Sequence, residues 1–78
     1  MKQEARKQLG INLKAERVRA GLTQEETAER LGKTKRQYIN YEQGSRVDSI
    51  DLYQLSKIFN CNINAFFLKV NSTESRVL

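Results

Sequence analysis

The segment TQEETAERLGKTKRQYINYEQG, residues 23–44, contains two patterns that start helices. Thr23 is followed three positions later by Glu26, and Thr34 is followed at the same spacing by Gln37. A threonine with Glu or Gln three positions on is a capping box, because each of the two side chains accepts from a backbone N–H that the helix leaves free. The segment therefore predicts two short helices, one opening at each threonine.

Glycines divide the same segment at the expected places. Gly32 ends the first predicted helix, and Gly44 is the expected C′ residue of the second, where glycine adopts a positive φ at low cost. A short glycine-containing turn between two short helices is typical of a helix-turn-helix, although small helical bundles use such turns as well. Spacing alone leaves both architectures open.

Apolar residues at helical spacing predict three further helices. One of these covers about residues 3–20 and ends at Gly21. Another begins after Asp48, and a brief last helix is capped by Asn62. The sequence therefore predicts an all-α fold of five helices.

Length and composition restrict the chain to one small domain. Its 78 residues are too few for two domains. We expect residues 1–68 to form the folded domain and residues 69–78 to form a polar C-terminal tail that frays. The hydrophobic content of 38% permits a thin core and leaves little room for a deep substrate pocket. We also expect no small-molecule ligand.

Catalytic and metal chemistry is disfavoured by the absence of histidine, since histidine is the commonest general base and metal ligand. Glu25, Glu26 and Glu29 lie close together, but their spacing fits a solvated helix face better than an acid/base site. We therefore expect a protein that is not an enzyme, with no metal site and no cofactor.

The cellular location is predicted from three observations. Cys61 is the only cysteine, so it cannot form an internal disulfide, which fits a reducing compartment. The sequence has no run of about 20 apolar residues. Its first ten residues, MKQEARKQLG, lack the apolar core of a signal peptide. These features predict a cytoplasmic protein.

The charge balance favours a polyanionic partner. Lysine and arginine total 14 against 9 acidic residues, which gives a net charge of +5. Such a balance suits nucleic acid or an anionic membrane surface, although solubility alone also explains it. Lys35 and Arg36 open the helix that starts at Thr34, where the helix dipole disfavours each cation by about 0.3–1 kcal/mol. This placement makes sense if an anion arrives from outside.

The ordered set of these residues resembles a known family. RVRAGLTQEETAERLGKTKRQYINYEQG, residues 17–44, is similar to the lambda-repressor-like, Cro/cI-type (XRE) helix-turn-helix domain. LYQLSKIFNCNINAFF, residues 52–67, resembles the last two helices of that family. The resemblance implies a small bacterial or phage regulator of the repressor type that binds double-stranded DNA sequence-specifically, as a homodimer on a near-palindromic operator.

The resemblance also implies roles for individual positions. The recognition helix, about residues 34–43, would lie in the major groove. Gln24 matches a position that touches phosphate, and Arg17 and Glu42 match a pair that forms a salt bridge. Positions implied to face DNA on the recognition helix or in the loop after it are Thr34, Lys35, Arg36, Asn40, Ser45 and Arg46.

Side-chain chemistry adds detail to these roles. Arg36 can donate two parallel hydrogen bonds to guanine, and Asn40, one helical turn further on, can bind adenine. Lys35 can reach either a base or a phosphate. Ile39 lies near the same face, where it could touch a thymine methyl, or it could be a core residue. Lys14, Arg19 and Lys33 could add long-range attraction, although a solvated charge is the favoured interpretation of each.

Two further expectations concern aromatic residues and partners. Tyr38 and Tyr41 lie on one face, and their hydroxyls, which need polar partners when buried, could reach the domain surface or a phosphate. Phe67 and Val70 belong to an apolar patch that could pair across a two-fold axis. The alternative function is a protein-interaction module, such as an antitoxin, whose main task is to bind a partner protein through this patch.

Overall fold

The fold is taken from a computed structural model that describes residues 2–68. Helix α1 spans Lys2–Arg19, α2 spans Gln24–Leu31, α3 spans Lys35–Glu42 and α4 spans Ser49–Phe59. A 3₁₀ helix, Ile63–Phe67, follows. The described residues contain no β-strand, so the predicted all-α class is confirmed. Within this part of the chain, no helix has the length and apolar character needed to cross a membrane.

The helix ends follow the local sequence closely, with one exception. Both capping boxes form: Thr23 Oγ1 accepts from the Glu26 N–H at 3.0 Å, and Thr34 Oγ1 accepts from the Gln37 N–H at 3.1 Å. The exception is the fifth predicted helix, which is a single stretch of 3₁₀ helix. The Asn62 side chain caps this stretch by accepting from the Asn64 N–H at 2.8 Å.

The core lies where the four helices and the 3₁₀ helix meet. Helix α1 packs against α3 and the 3₁₀ helix, while α2 packs against α3 and α4. The buried hydrophobic residues come from all five elements: Leu13, Ala28, Leu31, Tyr38, Leu52, Leu55, Phe59 and Phe66. Because every element contributes to this one cluster, the position of α3 depends on the packing of the whole domain.

Gly10 allows α1 and α3 to approach unusually closely. A Cβ atom built on Gly10 would lie 2.4 Å from the Glu42 carbonyl oxygen and 2.8 Å from the Tyr41 carbonyl oxygen. No real side chain tolerates the shorter distance, so the last turn of α3 rests directly on the backbone of α1. Gly10 lies in the middle of α1, and because it has no side chain, α3 can pack this close to α1.

Asn12 joins the first helix to the last element of the described chain. Its side chain is buried, and Nδ2 donates to the Phe66 carbonyl at 2.8 Å and also to the Leu68 carbonyl. Gln8 Nε2 in turn donates to Asn12 Oδ1 at 3.1 Å. This amide fixes the end of the 3₁₀ helix on α1, which brings Phe66 into the core.

The Gly10 contact generates a stability prediction of unusual sign. Alanine within a helix is ordinarily more stable than glycine by about 0.5–1 kcal/mol. Gly10→Ala should instead lower the free energy of unfolding by about 1–3 kcal/mol, because α1 must move away from α3. Urea denaturation followed by circular dichroism measures this change. Ala15→Gly, at an exposed site on α1, isolates the helix-propensity effect, and a stabilising Gly10→Ala substitution would refute the close approach.

Candidate nucleic-acid interface

The outward face of α3 presents the residues that were predicted to face DNA. Thr34, Lys35 and Arg36 are exposed at its start, and Ile39 and Asn40 are half-buried one turn further on. Arg36 and Asn40 are four residues apart, so they share one side of the helix. Ile39 divides its surface between the domain and solvent. The structure thus gathers these five positions on one short helix.

The loop after α3 continues this surface. The Ser45 N–H donates to the Asn40 carbonyl at 2.9 Å, which folds the chain back against the end of the helix. Gly44 makes this reversal with a φ of 107°. Ser45 and Arg46 are both exposed. Arg6 Nε on α1 donates to the Gly44 carbonyl at 3.2 Å, so the loop is tied to the first helix.

The carboxylate of Glu42 holds α3 to the rest of the domain from behind this surface. Its side chain is only 4% exposed, and Arg17 Nε on α1 lies 2.7 Å from Oε2. Tyr38 donates its hydroxyl to the same oxygen at 2.5 Å. Gln24 Nε2, at the start of α2, donates to Oε1 at 3.0 Å. One carboxylate therefore joins α1, α2 and α3.

Arg17 is equally well satisfied. Its Nη1 donates to the Leu22 carbonyl at 2.9 Å, which fixes the turn between α1 and α2. Burial lowers the pKa of the Arg17 guanidinium, and the hydrogen bond and charge of Glu42 outweigh that effect, so its pKa is raised overall. Arg17 therefore stays charged and can neutralise the buried carboxylate.

An open depression of about 510 Å³ lies beside the N-terminus of α2. Its lining includes Arg17, Gln24, Glu25 and Lys35. A helix N-terminus presents free N–H groups and a partial positive charge, which favour an anion. An amide nitrogen carries two hydrogens, so Gln24 can donate one to Glu42 and still offer the other to a ligand.

Both tyrosine hydroxyls have the polar partners that burial requires, and these partners lie inside the domain. Tyr38 is fully buried, and its hydroxyl donates to Glu42. Tyr41 is half-buried, and its hydroxyl donates to Asp51 Oδ2 on α4 at 2.6 Å. Both hydroxyls are thus occupied by carboxylates inside the domain, and neither is directed at a phosphate. Sequence reasoning missed the partner of Tyr41 because Asp51 lies on another helix. Glu42, the partner of Tyr38, lies one turn on in α3 and had been assigned to Arg17 alone.

Lys14, Arg19 and Lys33 are the further cations considered above, and two of them form ion pairs with residues of the domain. Lys33 Nζ lies 3.6 Å from Asp51 Oδ2. Arg19 Nε lies 2.6 Å from Glu16 Oε1, and its Nη2 donates to the Phe59 carbonyl at 3.0 Å. Lys14 is exposed and has no ion pair among residues 2–68. Lys14 and Arg19 both remain solvent-facing, since 53% of the Arg19 side chain is exposed despite its ion pair.

The C-terminal patch lies on the other side of α1. Phe66 is buried, whereas Phe67 and Leu68 are 60% and 64% exposed. A groove of about 180 Å³ separates Phe67 from α1, and its other lining residues are Ala5, Gln8, Leu9 and Phe66. Val70 lies outside the described residues.

Comparison with known proteins identifies the family. A family model described as Helix-turn-helix matches residues 13–66, well over half of the chain. The chain therefore belongs to the XRE, or Cro/cI-type, helix-turn-helix family of DNA-binding transcription regulators, as the sequence resemblance predicted. Members of this family are generally not enzymes. A search of curated proteins found no match.

The Glu42 network predicts a large effect of one substitution. Glu42→Ala should lower the free energy of unfolding by about 3–5 kcal/mol, because Arg17 would keep its burial and lose its counter-charge. Thermal unfolding followed by circular dichroism measures the loss. Glu29→Ala removes the same charge from the exposed face of α2 and should change the melting temperature little. Equal melting temperatures for the two variants would contradict a stabilising role for this network.

The Tyr41 hydroxyl predicts loss of stability at alkaline pH. Burial, followed by the hydrogen bond to Asp51, raises the pKa of Tyr41 from 10.0 to about 12. The unfolded chain then loses the phenolic proton first, so this contribution is complete below pH 10 and disappears as the pH rises to about 12. In urea denaturation at stepped pH, Tyr41→Phe should flatten the fall over this window. Tyr53→Phe, on the exposed face of α4, is the control, and an unchanged fall in Tyr41→Phe would refute the assignment.

Proposed function

We propose that this member of the XRE family is a sequence-specific transcriptional regulator of the repressor type, with α3 in the major groove of double-stranded DNA. The observation that carries the proposal is the arrangement of charges on α3. Lys35 and Arg36 stand exposed at its N-terminus, while Glu42 is buried at its other end. A helix anchored from behind and cationic at its exposed start suits insertion into a groove lined with phosphates.

Base reading is assigned to the first two turns of α3. Arg36 can place two hydrogen bonds on guanine O6 and N7, and the Asn40 amide can pair with adenine N6 and N7. Thr34 can donate its hydroxyl to a base or a phosphate at the mouth of the groove. The exposed part of Ile39 would meet a thymine methyl.

Phosphate binding is assigned to both ends of this surface. At one end, the second N–H of Gln24 and the ammonium of Lys35 border the depression at the start of α2. At the other end, Ser45 and Arg46 are exposed on the loop that Arg6 ties to α1. Contacts on both sides of α3 would fix its register on the duplex, while the groove-facing residues supply specificity.

Assembly is proposed to be a homodimer on a near-palindromic operator, because two half-sites double a small contact surface. The exposed ring of Phe67 is the described residue best placed to contribute an apolar contact, and Val70 remains a proposed contact outside the described residues. Such a regulator would act in the cytoplasm on chromosomal or phage DNA, without a cofactor or small-molecule ligand.

A protein-interaction module, such as an antitoxin, is the second candidate. The exposed side chains of Phe67 and Leu68, which are adjacent in the chain, favour it. Exposed apolar side chains that lie close together often mark protein–protein contacts. The cationic start of α3 has no use in a purely protein-binding role, which is why DNA binding is preferred.

Selection of binding sites from random DNA, followed by mobility-shift titrations over a salt series, tests the proposed function. A regulator should enrich a near-palindromic sequence, and its affinity should fall steeply with salt because phosphate contacts release counterions. Sequence preference that survives competitor DNA demonstrates base reading. Absence of binding at about 50 mM salt, where electrostatic contacts are strong, would reject the regulator in favour of the interaction module.

Arg36→Ala tests the assigned base reading. The variant should lose about 1–3 kcal/mol of discrimination at one base position and keep most of its affinity for unrelated DNA. Titration against the selected site and its single-base variants measures this loss. Arg30→Ala, an exposed arginine in the last turn of α2, is the matched control and should keep the full preference. A uniform loss across all sequences would make Arg36 a phosphate contact.

A further inference from the structure

Two lysines on α1 remain unused by the proposed interface. Lys14 is exposed, and Lys7, two helical turns before it, is exposed as well. Neither forms an ion pair among residues 2–68. Glu4 lies three positions before Lys7, a spacing that permits a pair, yet the structure has none. These two cations therefore carry charge that no partner in the described domain neutralises.

The crossing of α1 and α3 shows which way these lysines face. Gly10 is the residue of α1 that touches the last turn of α3. On a helix surface, Lys7 and Lys14 flank Gly10 on one side, at i−3 and i+4, while Arg6 and Leu13 flank it on the other. Leu13 is fully buried, so its side faces the core. The side with the lysines faces away from the core, next to α3.

A contact with Gly44 fixes the position of Lys7 relative to the loop after α3. A Cβ atom built on Gly44 would lie 3.4 Å from Lys7 Cγ and 3.7 Å from Lys7 Cα. Lys7 thus packs on the glycine that ends α3, and Ser45 and Arg46 follow in the chain directly after that glycine. Its ammonium extends the positive charge of this loop onto α1.

The spacing of the two lysines suits a DNA strand. Seven residues of α-helix span about 10.5 Å at 1.5 Å per residue. One strand of duplex DNA carries a phosphate about every 3.4 Å along the helix axis. The Cα atoms of Lys7 and Lys14 are therefore far enough apart for the two ammonium groups to contact different phosphates of one strand.

We propose that Lys7 and Lys14 form a lysine ridge that binds the phosphate backbone of the duplex whose groove receives α3. The proposal rests on the proposed function and extends its contact surface from α2, α3 and the following loop to α1. The ridge would add affinity without sequence preference, because phosphates carry no base information. It would also place the DNA backbone against α1, close to the point where Gly10 contacts α3.

The test is the salt dependence of DNA binding by charge variants. Each phosphate contact contributes about −0.9 to the slope of log affinity against log salt concentration. The double variant Lys7→Gln/Lys14→Gln should therefore have a slope about 1.8 units shallower than the unchanged protein. Between 0.2 M and 0.05 M salt, its affinity deficit should widen about 12-fold. Base preference at the selected site should not change.

A matched control separates contact from net charge. The double variant Lys57→Gln/Arg30→Gln removes two charges from α4 and α2, where the Lys57 ammonium lies 5.3 Å from the centre of the Tyr53 ring. Its slope should equal that of the unchanged protein. Circular dichroism melting checks that both double variants fold. If the Lys7→Gln/Lys14→Gln variant does not fold, the two single variants, Lys7→Gln and Lys14→Gln, provide the slopes.

The outcomes are distinguishable. Equal slopes for the lysine-ridge variant and the unchanged protein would overturn the ridge while leaving the proposed function intact. Equal losses in the ridge variant and the control would reduce the effect to net charge and would also overturn it. If the unchanged protein shows no DNA binding at all, the proposed function fails first.

Discussion

The carboxylate of Glu42 is the constraint on which the rest of the structure depends. It is almost completely removed from water, and ion pairing and hydrogen bonding offset the cost of that burial only when every donor is in place. Arg17 supplies the counter-charge from α1, Gln24 supplies an amide from α2, and Tyr38 supplies a hydroxyl from α3 itself. Small displacements of any of the three helices would leave this charge poorly paired. The relative positions of the helices are therefore set by electrostatics as well as by hydrophobic packing.

The charges of α3 oppose its own dipole at both ends. Lys35 and Arg36 occupy the first turn, where anions are favoured, and Glu42 occupies the last residue, where cations are favoured. At the C-terminal end, Arg17 compensates from within the domain. At the N-terminal end, no described residue forms an ion pair with either cation. The two ends of α3 therefore differ. The charge at the buried end is neutralised within the domain, whereas the cations at the exposed end remain available to an anionic ligand.

Local sequence determined much of the fold, and contacts distant in sequence determined the rest. The capping boxes at Thr23 and Thr34 could be predicted because all their atoms lie within four residues. Family resemblance supplied the candidate DNA-facing positions, and the structure places Lys35, Arg36 and Asn40 on α3, Thr34 at its N-cap, and Ser45 and Arg46 on the loop that follows. Neither source predicted Gly10, whose role depends on a carbonyl 32 residues away at Glu42. The partner of Tyr41 was missed for a similar reason, since Asp51 lies on a different helix.

The amide of Asn12 has a consequence for how the chain acquires its structure during synthesis. Its acceptor at Phe66 is 54 residues later in the sequence, so the first helix cannot complete its hydrogen bonds until the end of the domain has left the ribosome. The helix-turn-helix segment is translated earlier, but the core residue Phe66 and its anchor arrive only with the last described residues. A nascent chain halted before this point would expose the apolar face of α1. The core of the domain is therefore filled only when its last described residues have been translated.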